Sequence, residues 1–521
     1  MMQRQNQLAV AENRQEPWDI VVIGGGATGV GVAVDAATRG YATLLLEQHD
    51  FGKGTSSRST KLVHGGVRYL EQGNISLVME ALRERGLMRQ NAPHLVTELP
   101  FVVPSYAWWE GPFYGIGLKL YQMLSGKYGF GASEFLSKEE TLQRLPNLKT
   151  DGLVGGVVYF DGQFDDTRLL INLVATAIEQ GATVLNYARV TGFQQDAQGL
   201  VNGVRWEDVE TGQTYATSAR VVINATGPFT DTLRQLAEPS AQPMTAPSQG
   251  AHLVLDRSFL PGDSAIMVPH TRDGRVMFAL PWHGHTLVGT TETAVSHVTL
   301  EPVPREAEID FMLSTAALYL AKAPTRADIL SVFAGIRPLV KAGNGQNTAA
   351  LSRDHTLHID QCGLLTLAGG KWTTYRNMAQ DAVNHAATLG DLPDKPCLTK
   401  TLNIHGYHPN AAQFGALSVY GTDALAIQRL IAADPTLARP LDSALPYLAA
   451  EVVWAARAEM ARTLEDVLAR RTRALFLNAA AAQRMAPAAV RLLAQELGRD
   501  AAWQAAQLLA FTALARGYQV A

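Results

Sequence analysis

Four side chains that can bind an anion or remove a proton stand in segments containing glycine or proline: His64, Arg68, Arg337 and Lys371. Histidine titrates close to neutral pH and suits a general base, whereas arginine binds anions through its planar fork. Oxidation of an unactivated alcohol needs such a base, and its carbon-bound hydrogen must lie about 3 to 3.5 Å from an acceptor. The four residues therefore suit a site that binds an anionic substrate and removes a proton from it, as the oxidation of an alcohol requires, provided that the fold brings them together.

The role of His64 has two interpretations. Lys61, His64 and Arg68 stand at positions i, i+3 and i+7, so they share one face if the segment is helical. The pair Gly65 and Gly66 makes a loop equally compatible. His64 is therefore either the general base or a structural residue packed beside a cofactor ring.

Arg337 and Lys371 are the two other candidate anion ligands. Arg337 precedes a proline, which disfavours helix and predicts an extended turn that projects the guanidinium. Lys371 follows Gly369 and Gly370 at a predicted helix N-terminus, where backbone N–H groups and the helix dipole already favour negative charge. A surface arginine and a lysine without function are the competing interpretations.

A glycine-rich turn near the N-terminus has the context of a dinucleotide site. The β-branched run 19–23 leads into Gly24–Gly29, then into small residues at helical spacing, and a second apolar run, 41–46, ends in Glu47. This is a strand, glycine turn, helix and strand. A lone glycine motif is weak, but this context makes a turn without a ligand the minor alternative.

Each residue of this turn has a mechanical role. Gly24 makes the tight turn, Gly26 lets the backbone approach a pyrophosphate, and Gly29 allows close packing of the helix. Glu47 can accept a hydrogen bond from a ribose hydroxyl, which favours NAD or FAD over NADP.

The rest of the chain favours FAD over NAD. After Glu47 comes a polar, glycine-rich stretch, 52–59, and then the segment 61–69, which looks like a loop lining a cofactor. Two further strand-and-turn patterns follow at 219–227 and 364–376. Three such turns, widely spread along the chain, imply one nucleotide-binding domain interrupted by insertions.

Seven short motifs stand along the chain in a characteristic order: IGGGATGV (23–30), TSS (55–57), KLVHGGVRYL (61–70), NATGPF (224–229), GTTET (289–293), GIRPLV (335–340) and GGKWTTYRN (369–377). With these motifs the sequence resembles the FAD-dependent glycerol-3-phosphate dehydrogenases of the D-amino-acid-oxidase-like flavoprotein group. A weaker match, Leu464–Asn478, extends the likeness toward the C-terminus. Glu292 departs from the aspartate that the family usually has, and residues 104–130 follow no family pattern closely.

The resemblance implies an α/β fold with a Rossmann-like FAD-binding domain, an inserted mixed-sheet substrate domain and a helical C-terminal domain. It also implies catalytic roles for His64, Arg68 and Lys371, and substrate binding by Arg68, Tyr69, Arg337, Lys371 and Thr373. The expected boundaries are 17–90, 151–240 and 350–390 for the FAD-binding domain, 91–150 and 241–349 for the substrate domain, and 391–521 for the C-terminal cap. The expected FAD-binding residues are Gly24, Gly26, Ala27, Thr28, Gly29, Glu47, Thr55, Ser56, Ser57, Lys61, Val190, Ala225, Gly227, Gly370 and Lys371.

The segment 104–130 bears on the electron acceptor. It contains eight aromatic side chains and only three charged ones, whereas aromatic residues make up 7% of the whole chain. Tryptophan and tyrosine near Lys119 and Lys127 are typical of a segment lying in a membrane interface. A buried or dimer-forming hairpin is the competing interpretation, so a homodimer stays open. The resemblance favours a peripheral enzyme on the inner face of the cytoplasmic membrane that passes electrons to quinone, with oxygen as the other possible acceptor.

Composition excludes several classes of protein. A formal charge of −4 gives no excess that would indicate a nucleic-acid partner. Cys362 and Cys397 cannot build a disulfide framework or a four-cysteine metal site, and no metal is expected from the scattered histidines. No segment is long enough to span a bilayer. Residues 1–17 are expected to form a loose tail, and Arg470, Arg471 and Arg473 a solvated helix face.

Three functions thus remain open, with different substrates or none. The first is oxidation of sn-glycerol 3-phosphate to dihydroxyacetone phosphate, which the cations Arg68, Arg337 and Lys371 favour. The second is an amine or amino-acid oxidase of the same fold. The third is a catalytically silent flavin-binding membrane protein, although such a protein has no chemical need for His64 and these cations.

Overall fold

The computed structural model describes residues 2–67, 70, 74–269, 271, 274–341 and 355–520. The strands in chain order are β1 (Trp18–Ile23), β2 (Thr43–Leu46), β3 (Leu62–Val63), β4 (Val96–Ser105), β5 (Glu134–Ser137), β6 (Gly155–Phe164), β7 (Thr183–Leu185), β8 (Ala188–Gln195), β9 (Val201–Asp208), β10 (Thr214–Asn224), β11 (Thr245–Asp256), β12 (Ala265–Val268), β13 (Met277–Trp282), β14 (His285–Gly289), β15 (Thr293–Ala294), β16 (Ile329–Val340), β17 (His355–Ile359), β18 (Leu365–Gly369), β19 (Pro440–Asp442) and β20 (Leu445–Leu448).

Helices cover both sheets and make up most of the C-terminal region. In chain order the described α-helices are α1 (Arg4–Asn13), α2 (Ala27–Thr38), α3 (Ile75–Asn91), α4 (Glu110–Ser125), α5 (Lys138–Arg144), α6 (Asp166–Glu179), α7 (Thr230–Ala237), α8 (Glu306–Tyr319), α9 (Tyr375–Leu389), α10 (Ala424–Ala433), α11 (Ala449–Ala458), α12 (Ala474–Leu477), α13 (Ala479–Leu497) and α14 (Ala501–Arg516).

The first sheet is the predicted nucleotide-binding sheet. Its strand order is β17-β18-β10-β1-β2-β7, parallel from β18 to β7, and the β8–β9 hairpin extends it from β10. Parallel strands need crossover connections, and α2 supplies the one between β1 and β2. Val22, Leu45 and Ile223 are fully buried on the face of this sheet that α2 and α9 cover, and the other face packs against the β8–β9 hairpin.

The second sheet is mixed and carries the predicted substrate side. Its order is β15-β11-β14-β13-β12-β4-β6-β3, with β16 paired to β11 and β5 paired to β6. Strand β6 (155–164) pairs antiparallel with β4 along its length, so the domain boundary predicted at residue 151 is wrong. Because these residues complete the second sheet, they belong to the substrate side. The boundary predicted at 349–350 lies outside the described residues.

The C-terminal region is helical, as predicted, apart from the short β19–β20 hairpin. The prediction for its arginines is wrong. Arg470, Arg471 and Arg473 are buried, and both Arg470 and Arg471 pair with Asp50 of the FAD-binding domain, at 2.5 and 2.8 Å. Asp50, which lies near the other end of the chain, compensates the charge of Arg470 and Arg471 and so allows both to be buried.

The predicted N-terminal tail is also ordered. Residues 4–13 form α1, and Arg4 is buried against Asp208, at 2.5 Å, beside the β8–β9 hairpin. This ion pair fixes the helix to the first sheet.

Helix α4 stands on the surface within the segment 104–130. Its inner side buries Leu118 and Tyr121, and the Tyr121 hydroxyl donates to Asp161 at 2.7 Å. A set of large apolar residues on or next to it is exposed: Trp108, Trp109, Phe113, Ile116, Leu120 and Met123. The segment is therefore a surface helix with apolar residues on both its buried and its exposed side, rather than a buried hairpin. None of the described helices is both long and apolar enough to cross a membrane.

Candidate active site

A cavity of about 890 Å³ lies where the two sheets meet, at the carboxyl ends of β1, β2, β10 and β18 and beside β11 and β16. Ligands of α/β sheets bind at this end of the strands. The predicted site residues that line the cavity are Gly24, Gly26, Ala27, Thr28, Glu47, Thr55, Ser56, His64, Val190, Ala225, Gly227, Arg337, Gly370, Lys371 and Thr373. Segments that are distant in the chain thus form one site.

Three predicted FAD ligands lie behind this lining: Gly29, Ser57 and Lys61. Lys61 is fully buried and its Nζ donates to Ser57 O at 2.8 Å and to Asp166 at 2.6 Å. The prediction that Lys61 contacts the cofactor is corrected accordingly, since its ammonium faces away into this ion pair. The predictions for Arg68 and Tyr69 lie outside the described residues.

The glycine turn after β1 has the close contacts that the sequence predicts. Gly24 has a φ of +113°, and a Cβ there would lie 2.5 Å from the carbonyl oxygen of Ala225. A Cβ on Gly29 would lie 2.0 Å from Gly24 O. These distances leave no room for a side chain, which confirms the steric roles of both glycines.

Glu47 is fixed at the end of β2 by the backbone around it. Its carboxylate accepts hydrogen bonds from the N–H groups of Gly25, at 2.6 Å, and His49, at 2.8 Å. Burial raises the pKa of Glu47, while these two hydrogen bonds oppose the rise. The acidic side chain therefore forms a fixed part of the cavity wall.

The turn Thr55–Ser57 joins three walls of the cavity. Ser56 Oγ accepts from the backbone N–H of Ala27, at 2.9 Å, where α2 begins. Ser56 O accepts from Trp372 Nε1 at 3.0 Å, and Thr55 Oγ1 donates to Ile336 O at 2.6 Å. The position of this turn is thus coupled to the glycine turn, to the segment after β18 and to β16.

His64 and the Lys371 segment meet at the same side of the cavity. The backbone N–H of His64 donates to Thr373 Oγ1 at 3.3 Å, and the imidazole lies edge-on to Phe278. Lys371 immediately precedes the 3₁₀ turn Trp372–Thr374, which runs into α9. The predicted helix start at Lys371 is confirmed. Strand β3 separates Lys61 from His64, so these two residues do not share a helical face.

Arg337 lies within the strand β16 rather than in the predicted turn. Pro338 follows it without ending the strand, because the φ angle of proline is compatible with extended backbone. Its Nη2 donates to Thr290 Oγ1 at 3.0 Å and to Thr291 O at 3.1 Å. Both acceptors precede Glu292, whose backbone oxygen accepts from Arg275 at 2.6 Å. The guanidinium is therefore oriented by the loop after β14, and it lines the cavity.

The sequence analysis missed His252, which also lines the cavity. Its Nε2 lies 3.0 Å from Thr60 Oγ1, and its ring stacks on Phe333 with 4.8 Å between centroids. Burial, with the charges of Lys61 and Arg337, lowers the pKa of His252 well below its ordinary value, so the ring is neutral near pH 7. A single histidine within a strand has no sequence signal that marks it.

Arg58 is a second missed residue. It lines the cavity, pairs with Glu301 at 2.7 Å and donates to Ala334 O of β16 at 3.2 Å. Its position within the polar stretch 52–59, directly after the TSS motif, is the signal that the sequence offers.

The residues around the cavity fit a bound FAD. The volume is in the range of cofactor sites, and the glycine turn leaves backbone rather than side chains where a pyrophosphate approaches. Gly26 at the start of α2 has the positive end of a helix dipole beside it. Among the described residues, no cluster of His, Cys, Asp or Glu side chains has an arrangement that could hold a metal ion.

Comparisons with known proteins agree with this site. The model of the "FAD dependent oxidoreductase" family matches residues 19–376, and that of the "C-terminal domain of alpha-glycerophosphate oxidase" matches residues 363–504. A probable mitochondrial glycerol-3-phosphate dehydrogenase from Caenorhabditis elegans is 41% identical, over 95% of this chain and 73% of the relative. The mitochondrial glycerol-3-phosphate dehydrogenase from Homo sapiens is 40% identical, with the same two coverages.

Solved structures extend the likeness. The glycerol-3-phosphate dehydrogenase from Bacillus halodurans, complexed with FAD, superimposes with a TM-score of 0.80 at 29% identity and covers 99% of this chain and 98% of its own. A glycine oxidase from Geobacillus kaustophilus shares the fold alone, with a TM-score of 0.54 at 18% identity over 76% of this chain and 100% of its own. The glycine turn, the shared cavity and these matches lead to one conclusion: the chain belongs to the FAD-dependent oxidoreductases and, among them, to the glycerol-3-phosphate dehydrogenases.

Proposed function

We propose that this protein oxidises sn-glycerol 3-phosphate to dihydroxyacetone phosphate at a membrane surface and passes the electrons to quinone. Bound FAD would supply the hydride acceptor. The observation that carries the proposal is that His64, Arg337 and Lys371 line one cavity with the dinucleotide-binding turn. This arrangement provides a base and two cations for one anionic alcohol.

Arg337 binds the phosphate in this proposal. Its guanidinium is held on β16 by Thr290 and Thr291 and is thereby oriented before substrate arrives. A pre-oriented planar fork loses little conformational freedom when it binds a phosphate bidentately. Lys371 adds a second charge at the start of the helical segment 372–389. The family resemblance adds Arg68 and Tyr69 to this group.

His64 removes the hydroxyl proton of the substrate. The backbone N–H of His64 bonds to Thr373, and this bond fixes the distance between His64 and the segment that carries Lys371. A base must be neutral before it accepts a proton, and imidazole is the side chain that changes its charge near neutral pH. The neutral His252 and Thr60, which also bond to each other, offer polar groups for orienting the substrate hydroxyls.

The amine or amino-acid oxidase alternative fits these residues less well. An amino-acid substrate carries a single carboxylate, whereas the cavity presents two cations, Arg337 and Lys371. The glycine oxidase resembles this chain in fold only. A silent flavin protein would gain nothing from a histidine and oriented cations in its cavity. The phosphate-bearing alcohol therefore remains the substrate that matches the charge of the site.

Helix α4 supports the membrane part of the proposal. Phe113, Ile116, Leu120 and Met123 recur at helical spacing on its outer face, and Ile116 and Met123 are 72% and 76% exposed. Trp108, 81% exposed, lies just before the helix. An exposed apolar patch with few charges is typical of a surface that lies in a lipid interface. We therefore propose that the protein binds a membrane peripherally, and the family resemblance favours the inner face of the cytoplasmic membrane; a homodimer covering this patch is the alternative.

Reconstitution with lipid vesicles containing a quinone tests the proposal as a whole. We expect glycerol 3-phosphate to reduce the quinone when vesicles are present, and to reduce a water-soluble dye with or without them. Reduction of the dye alone, with no binding to vesicles, would remove the membrane and quinone parts and leave oxygen or another soluble acceptor.

A further inference from the structure

Arg473 lies in the C-terminal region, outside the cavity, yet it reaches the turn that joins the cavity walls. The residue is buried, with a φ of 62°, and its Nη2 donates to Ser57 O at 2.8 Å and to Asp166 at 3.1 Å. Its Nη1 donates to Thr167 Oγ1 at 2.7 Å and to Ala469 O at 3.1 Å. One guanidinium thus connects the C-terminal region, the start of α6 and the turn Thr55–Ser57.

The carbonyl oxygen of Ser57 accepts hydrogen bonds from two cationic side chains. Lys61 Nζ and Arg473 Nη2 both donate to it at 2.8 Å, and Asp166 accepts from both cations. Asp166 also accepts from the backbone N–H and the hydroxyl of Ser59. The last residue of the turn is therefore held from behind by a buried network of charges.

The front of the same turn faces the cofactor cavity. Ser56 bonds to the start of α2 and to Trp372, and Thr55 bonds to Ile336, the residue before Arg337. A displacement of Ser57 would consequently be transmitted to the pyrophosphate side of the cavity and to the strand carrying the substrate cation. Oriented sites depend on such support, because a shift of about 1 Å can cost a large factor in rate.

We propose that Arg473 is a positioning residue through which the C-terminal region sets the position of the Thr55–Ser57 turn and so shapes the FAD cavity. This assigns the C-terminal region a part in cofactor binding, although none of its residues lines the cavity within the described part of the chain. Lys61 keeps the charge of Asp166 compensated when the guanidinium is removed. The effect on FAD should therefore exceed the effect on folding.

A matched control exists at the same boundary. Arg168 is as buried as Arg473, also lies between α6 and the C-terminal region, and pairs with Glu459 at 2.8 Å. It lies outside the cavity lining. Arg168→Met and Arg473→Met thus remove the same group at the same boundary, but only the second removes a donor to Ser57.

The test measures the FAD dissociation constant of each apoprotein by fluorescence titration, together with the visible flavin spectrum and the thermal unfolding of the FAD-free protein. We expect Arg473→Met to raise the dissociation constant by about tenfold or more, because a displaced turn misaligns the cavity walls that orient the cofactor, and to shift the flavin spectrum. Arg473→Lys should recover part of the affinity, because an ammonium can donate to Ser57 O but not to all four acceptors.

Several results would overturn the proposal. These are an unchanged dissociation constant and spectrum in Arg473→Met, or an equal loss of FAD affinity in Arg168→Met. If Arg473→Met fails to fold, Arg473→Lys decides the matter: weakened FAD binding at wild-type thermal stability supports the positioning role, and wild-type affinity contradicts it.

Discussion

The guanidinium of Arg337 lies against Gly250 of the neighbouring strand: its Nη2 is 2.4 Å from the point where a Cβ of residue 250 would stand. The two residues belong to β16 and β11, which pair along most of their length. The absence of a side chain at 250 is thus what allows the cation to cross its partner strand toward the cavity.

Gly250→Ala should therefore impair the substrate site through Arg337. The added methyl group displaces the guanidinium, and we expect kcat/KM for glycerol 3-phosphate to fall by about 10²-fold while FAD content stays normal. Steady-state kinetics with a soluble dye measure this change. Gly117→Ala is the control, since a Cβ there has no atom within 4 Å. Equal kinetics for the two variants would show that Arg337 does not bind the substrate.

Replacement of His64 separates a base from a binding group. If His64 removes the hydroxyl proton, His64→Asn should slow anaerobic flavin reduction by roughly 10²- to 10⁴-fold, with little change in substrate affinity. Stopped-flow measurement of the reduction rate against substrate concentration gives both quantities. A loss confined to affinity would assign His64 to binding and make Lys371 the candidate base.

The apolar surface of α4 can be tested without disturbing the active site. The triple variant Trp108→Ser, Trp109→Ser and Phe113→Ser should no longer bind lipid vesicles and should reduce quinone poorly, yet reduce a soluble dye normally. Binding of the wild type should survive moderate salt, because burial of apolar rings is not screened. Vesicle flotation measures the binding.

The control for that experiment replaces exposed apolar residues elsewhere: Val303, Leu398 and Leu509. Changing these three to serine should leave flotation unaltered. Flotation of the α4 variant at the wild-type level would mean that its rings form contacts with a second protein copy instead.

The sequence predicted the cofactor turn well because its signals are local. Gly24, Gly29 and Glu47 lie within one βαβ unit, where glycine spacing and strand patterns determine the geometry. The burial of Arg471 and Arg473 could not be predicted in this way. Their partners, Asp50 and Asp166, lie far away in the chain, and only the assembled fold shows that the arginines are buried. A periodic pattern of charges looks the same on a solvated helix and on one that closes a buried network.

Local patterns also gave no indication of His252, and the family resemblance assigned Lys61 to the cofactor. Lys61 begins the motif KLVHGGVRYL and His252 lies within β11, but the direction of each side chain depends on the second sheet. Gly289 opens the space for the His252 ring, since a Cβ there would lie 2.3 Å from it. Such a complementary gap between two strands cannot be derived before the register of those strands is known.

His405 should make stability depend on pH. It bonds to Glu179 of α6, at 2.6 Å, and to Asp423 just before α10, at 2.7 Å. Burial alone would lower the pKa of His405, but these hydrogen bonds raise it to about 10. Because the folded state binds the proton more tightly than the unfolded state, the contribution is complete below about pH 6.5 and is lost as pH rises toward 10.

Comparison of wild type with His405→Gln checks this. The variant should have the lower free energy of unfolding at pH 6, and the difference should shrink steadily between pH 7 and pH 9. Denaturant titrations of both proteins at these pH values give the difference directly. A difference in unfolding free energy that does not change with pH would show that His405 acts through packing and not through its charge.

Anaerobic mixing of the purified, FAD-loaded protein with sn-glycerol 3-phosphate tests the central claim most directly. We expect the visible absorption of the flavin to bleach stoichiometrically and dihydroxyacetone phosphate to appear in equal amount. In Arg337→Ala, substrate binding should weaken by about 2 to 4 kcal/mol, so that bleaching needs a higher substrate concentration. The FAD content should stay unchanged. A flavin that stays oxidised with glycerol 3-phosphate but bleaches with an amine or an amino acid would contradict the account.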